Sequence, residues 1–182
     1  VIILLSHGGH VLPTIRSRCL SIRLQPLPAN EMREVVSQIM VNITESDLEL
    51  LTELAEGSPG MAQMIYENEG LWILDNLAEI INLYPKYDYL SLVKFAEKVM
   101  KAEKGWEAYC YIFGWLTTKL AKAYAGGKAV SVRGETIAKN INLPLLLDEV
   151  ERWNKTVQET EVFNLEKKQV IVNALQGFHE CF

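Results

Sequence analysis

From Met32 almost to the end of this chain, apolar residues recur three or four positions apart, and each run is closed by a glycine, a proline or a capping side chain. That spacing predicts a mainly α-helical protein. Asn30 is placed to cap a first helix after Pro28, with Met32, Val35, Val36, Ile39 and Met40 on one face. Ser46 and Glu49 have capping-box spacing ahead of Leu48, Leu51 and Leu54-Ala55. Gly57 suits a left-handed helix end, and Ser58-Pro59 suits an N-cap and first helical residue before Met61, Ile65 and Tyr66. Gly70 punctuates again, ahead of Leu71, Leu74, Leu77, Ile80-Ile81 and Leu83-Tyr84, an apolar helix expected to stop before Pro85. Asp88 is placed to cap the next, with Leu92, Phe95, Ala96, Val99 and Met100 inside and Gly105 expected to break it.

Residues 106–125 are the most aromatic stretch. Tyr109, Phe113, Leu116 and Leu120 share one helical face, while Tyr111 and Trp115 fall on a second, so this helix is expected to be covered on more than one side. Gly126-Gly127 closes it, and the polar segment through Gly134 reads as the longest loop. Asn142-Leu143-Pro144 opens a helix with Leu146, Leu147, Val150, Trp153 and Val157. Asn164 is expected to cap the last, which holds Leu165, Val170, Ala174, Leu175 and Phe178.

The start of the chain reads differently. Residues 1–5 are apolar without alternation, as in a strand covered on both faces. Ser6-His7-Gly8-Gly9-His10 breaks that run with glycines that permit tight turns. Pro13 sits where a first helical residue would, its φ already set. Arg16 and Arg18 follow, and an apolar-polar run over residues 19–25 leads out to Pro26 and Pro28. The order is therefore strand, glycine loop, one short helical turn carrying exposed cations, strand. Taken alone, Arg18 reads as a solvated arginine on a surface turn.

The stretch LPTIRSRC, residues 12–19, resembles the serine-arginine-cysteine motif of AAA+ clamp-loader subunits, here Ser17, Arg18 and Cys19. The strand and polar turn before it resemble the sensor-1 element, and RLQPLP, residues 23–28, resembles the exit into the lid domain. EGSPGMAQMI, residues 56–65, is similar to the lid-helix start where ATP-binding relatives carry a sensor-2 arginine; the matching residue is Met61, which cannot hold a phosphate. ETEVFNLEKKQVIVNAL, residues 159–175, resembles the closing helices of the δ′ type of bacterial DNA polymerase III clamp-loader subunit. The likeness is strong over residues 12–28 and weak over residues 85–134.

The resemblance implies a remnant of an AAA+ α/β domain with two short strands (residues 1–27), a helical lid bundle (28–85) and an α-helical collar that oligomerises (86–182). It implies that Arg18 is an arginine finger, reaching across a subunit interface to ATP held by a neighbour. The chemistry suits the residue: a departing γ-phosphoryl group gains negative charge, and a planar, permanently charged guanidinium binds two of its oxygens. The implied partners are an ATPase subunit, a wrench-type subunit and, through the assembled complex, the sliding clamp and primer-template DNA. The implied compartment is the cytoplasm.

Composition narrows the alternatives. A net charge of -5 over 182 residues argues against a surface given over mainly to nucleic acid. Cys19, Cys110 and Cys181 lack paired-ligand spacing, so a reducing compartment fits better than a disulfide framework or a zinc site. No apolar run reaches the roughly 20 residues of a membrane span. His7 and His10 have no obvious carboxylate or thiolate partners and read as loop polarity; His179 and Cys181 lie at a terminus where fraying is the default. No phosphate loop and no Ser-His-Asp or Cys-His pattern is present, so the chain carries no complete active site and no cofactor or metal is expected. The opening at Val1, already inside an apolar run, reads as a fragment of a longer protein. Two other functions fit the same residues: a piece of an ATP-hydrolysing clamp-loader subunit, or a helical interaction module.

Overall fold

The computed structural model describes residues 12–182 apart from 21, 23, 41, 85 and 138–140. The strand expected at residues 1–5 and the glycine loop with His7 and His10 lie outside the described residues. Within them the protein is mainly helical, as the periodicity predicts.

The first element is a single turn, α1 (Pro13–Arg16). Backbone bonds from Ile15 N to Leu12 O (2.9 Å) and from Arg18 N to Ile15 O (3.0 Å) close it. The expected second strand is not seen among the described residues of the 19–25 stretch, where Leu20, Ile22 and Leu24 are 90%, 77% and 82% exposed. Alternation states only a preference for a pleated, half-buried surface, and among the described residues no strand lies beside this stretch to pair with it. The two strands that form among the described residues lie elsewhere. β1 (Val130–Val132) and β2 (Glu135–Ile137) make an antiparallel hairpin inside the segment expected to be a loop, with Val130 opposite Ile137 and Val132 opposite Glu135.

The chain enters the helical body at Leu27, whose N–H donates to Gly57 O at 2.9 Å. Gly57 has φ +83°, and a Cβ there would lie 2.6 Å from the Leu27 carbonyl oxygen. Only glycine meets both demands. The next helices are α2 (Ala29–Ile39), α3 (Glu45–Leu54) and α4 (Pro59–Glu67), which bury Met32, Val36, Leu48, Leu51, Leu54, Ala62 and Ile65 against one another. Ser58 caps α4 as expected, its Oγ accepting from Met61 N at 3.3 Å. Two other caps differ. Helix α2 begins from Pro28 with no side-chain cap, leaving Asn30 exposed in the first turn, because Pro28 already sets the extended entry. Helix α3 is capped by Thr44, whose Oγ1 accepts from Asp47 N at 3.2 Å; Ser46 and Glu49 therefore form no capping box.

Helix α5 (Gly70–Leu83) packs along α7 (Gly105–Ala125) and also touches α3 and α4. Between them lies α6 (Tyr89–Val99), capped by Asp88 as predicted, with carboxylate bonds to Leu90 N and Ser91 N at 3.2 Å each. Helix α6 ends at Val99, so Gly105 opens α7 rather than closing α6. Helix α8 (Leu143–Phe163) starts from Asn142 as expected and packs on α7 and on α9 (Lys167–Phe178), which also lies against α6. Asn164 ends α8 in the left-handed conformation (φ 51°), and Glu166 caps α9 through Gln169 N at 2.8 Å. The cap assignment to Asn164 is thus corrected, since a residue that ends one helix at positive φ cannot begin the next.

Helix α7 is the central element. Tyr109, Ile112, Phe113, Leu116 and Leu120 are buried along it. Phe113 meets Trp153 of α8 at 5.0 Å and Phe178 of α9 at 4.8 Å, both edge-on, as ring quadrupoles prefer. The second face holds too: Tyr111 donates to Leu54 O of α3 at 2.6 Å. The C-terminus is packed rather than frayed, with Cys181 buried and Phe182 stacked on Tyr84 at 5.7 Å.

Candidate functional site

Ser17, Arg18 and Cys19 are all exposed on the turn that follows α1. Pro13 begins that turn because it needs no N–H partner, and Ser17 tightens it by donating its hydroxyl to Thr14 O at 3.2 Å. Among the described residues Arg18 makes no ion pair. Leu12 and Ile15, both exposed, flank it with apolar surface. The turn offers a permanent positive charge.

Met61 lies in the first turn of α4, half-buried and packed on the core. The structure thus gives it a packing role. It does not bring Met61 and Arg18 together into one site. The free thiols differ from one another. Burial pushes the Cys110 thiol up to about 12 and Cys181 up to about 11, which leaves both protonated and unreactive near neutrality, whereas Cys19 is exposed. His179 is half-buried, its Nδ1 2.6 Å from Gln176 O and its ring 5.6 Å from Tyr87. Among the described residues no group of His, Cys, Asp and Glu is arranged to hold a metal ion. Nor is any helix among them long and apolar enough to cross a membrane.

Two arrangements are not evident from the sequence. The second face of α7 lines a groove of about 700 Å³ with the end of α3, where Lys119 pairs with Glu53 at 2.6 Å and lies over the Trp115 ring at 4.6 Å. The spacing of Tyr111 and Trp115 signals that face but not its charges. The other is a cluster around Arg133, at the turn between β1 and β2. Its signal is Val130 and Val132 alternating about Ser131, then a two-residue Arg133-Gly134 link and a second β-prone pair, Thr136-Ile137. Compared with the models of known protein families, with curated proteins and with solved structures, the chain finds no match.

Proposed function

We propose that this chain is a non-catalytic, δ′-like part of a cytoplasmic bacterial DNA polymerase III clamp loader, in which Arg18 serves a neighbouring ATPase subunit as an arginine finger. The observation that carries the reading is the state of Arg18: exposed, without an ion pair among the described residues, and directly after a one-turn helix started by proline and tied by Ser17. An arginine held out in this way gives up no ion pair among the described residues when it meets a phosphate, and its fork matches two phosphoryl oxygens. Met61 at the start of α4 supports the non-catalytic half of the proposal, because a half-buried thioether offers nothing to a nucleotide. In this reading α2–α5 form the lid and α6–α9 the collar that joins the loader. The sliding clamp and primer-template DNA are then met through the assembled complex.

The test is an assembled loader carrying Arg18→Ala in this subunit. Assembly should survive, and the DNA- and clamp-stimulated ATPase should fall. A finger of this type is worth about 10³-fold or more at its own site, diluted where several sites turn over. Arg18→Lys should restore only part of the rate, since an ammonium lacks the bidentate fork. An unchanged ATPase rate with Arg18→Ala would remove the finger and favour a helical interaction module.

A further inference from the structure

The turn between β1 and β2 breaks a local rule. Arg133 has φ +50° and Gly134 φ +83°, so both central residues of a two-residue hairpin link are left-handed. Asn-Gly or Asp-Gly suits such a link, and an arginine there carries a steric cost. What the arginine gains is visible in its side chain. Nε donates to Asp75 Oδ1 of α5 at 2.8 Å, Nη2 to Asp47 Oδ1 of α3 at 2.6 Å, and Nη1 to Ser46 Oγ of α3 at 3.1 Å. One guanidinium thus ties three elements that lie far apart in the sequence.

The hairpin is small. Its strands have three residues each, and an isolated two-stranded hairpin is marginal in water. Val130 and Val132 of β1 and Ile137 of β2 are buried, β1 against α7 and β2 against α5. The fit on α5 is incomplete: a groove of about 490 Å³, lined by Asp75, Ala78, Val132 and Ile137 among others, runs beside it, and Arg133 is part of its wall. We infer that the β1–β2 hairpin is a strap latched by Arg133 onto α3 and α5, and that it opens as a unit while the helices stay folded. Open, it frees residues 130–137 and uncovers the faces of α5 and α7 beneath Val130, Val132 and Ile137. This inference is independent of the role proposed for Arg18.

The deciding variant is Arg133→Asn, which improves the turn and removes the latch. Peptide-level hydrogen exchange on the full chain should show the amides of residues 130–137 exchanging about tenfold faster than in the parent, with α8 and α9 within about twofold. Arg133→Lys, able to reach one carboxylate at a time, should fall between. Slower or unchanged exchange in the hairpin with Arg133→Asn would show that the turn, not the latch, holds it, and would overturn the inference. Equal acceleration throughout α7–α9, or loss of the fold in either variant, would overturn it too, by making the hairpin part of the global unit.

Discussion

Residues 12–25 and the helical body behind them are built from equally apolar sequence, yet they come out as opposites. Leu20, Ile22 and Leu24 stand in solvent, while Leu51, Leu74 and Leu116 are fully buried. Hydrophobicity does not separate them; the source of the backbone hydrogen bonds does. A helix pairs its own N–H and C=O groups and needs only a neighbour for its apolar stripe. A strand needs another strand before its alternation has any meaning. The helices found partners in one another, with α7 in the middle, and the early stretch found none among the described residues. The β1–β2 hairpin makes the same point in reverse, because each of its strands supplies the other's partner within eight residues.

The contrast breaks most sharply at the core. Phe113→Ala should cost about 3–5 kcal/mol, since it empties the space between Trp153 and Phe178. Ile22→Ala should change stability by no more than about 0.5 kcal/mol, as for other exposed positions. Thermal unfolding of both variants checks the pair, and a large loss with Ile22→Ala would mean the early stretch is buried after all.

The joint between the two regions comes next. Gly57→Ala should cost about 1–3 kcal/mol, because it imposes a positive φ on a residue with a Cβ and drives that Cβ against Leu27. Urea unfolding measures it, and a neutral result would show that the early stretch meets the body differently.

Two polar residues at helix starts then sharpen the comparison. Asp88→Ala should cost about 1 kcal/mol, because its carboxylate holds two orphan amides of α6. Asn30→Ala should cost close to nothing, because it caps nothing. Equal losses from the two would contradict the cap assignments.

The last effect is of opposite sign. Tyr109 is fully buried with a hydroxyl that has no hydrogen-bond partner among the described residues, and burial raises its pKa well above the ordinary range. Tyr109→Phe should therefore be neutral or stabilising by up to about 1 kcal/mol. A destabilised variant would reveal a partner for that oxygen.

The helices and their apolar stripes are legible in the sequence because a repeat of about 3.6 residues, sustained over three turns, matches neither the two-residue period of a strand nor the irregular pattern of a loop. Gly57, Ser58-Pro59, Asp88 and Asn142 are legible as ends for a related reason: each stands alone beside its stripe. Asn30, Ser46 and Asn164 mislead because other cap residues compete there. Pro28, Thr44 and Glu166 stand within two positions of them, and backbone geometry, invisible in the sequence, decides between them. The hairpin is hidden because three-residue strands are too short to show a period, and the polar lead-in after Gly127 looks like loop. Of the candidate site, the turn is legible from Pro13 and the two arginines. The Arg133 cluster is not, since its acceptors come from residues 46, 47 and 75.

The hydrogen bond between Leu27 and Gly57 also sets a geometry for force. Arg18 stands nine positions before Leu27, so covalent dimensions allow it to reach no farther than about 30 Å from that anchor. Inside that radius a partner that grips Arg18 is leashed to the helical body, and its local concentration is fixed by the length of the leash. A pull on Arg18 runs along the backbone to Leu27, where the bond to Gly57 and the close fit of Pro26 against Gly57 share the load with the covalent link into α2.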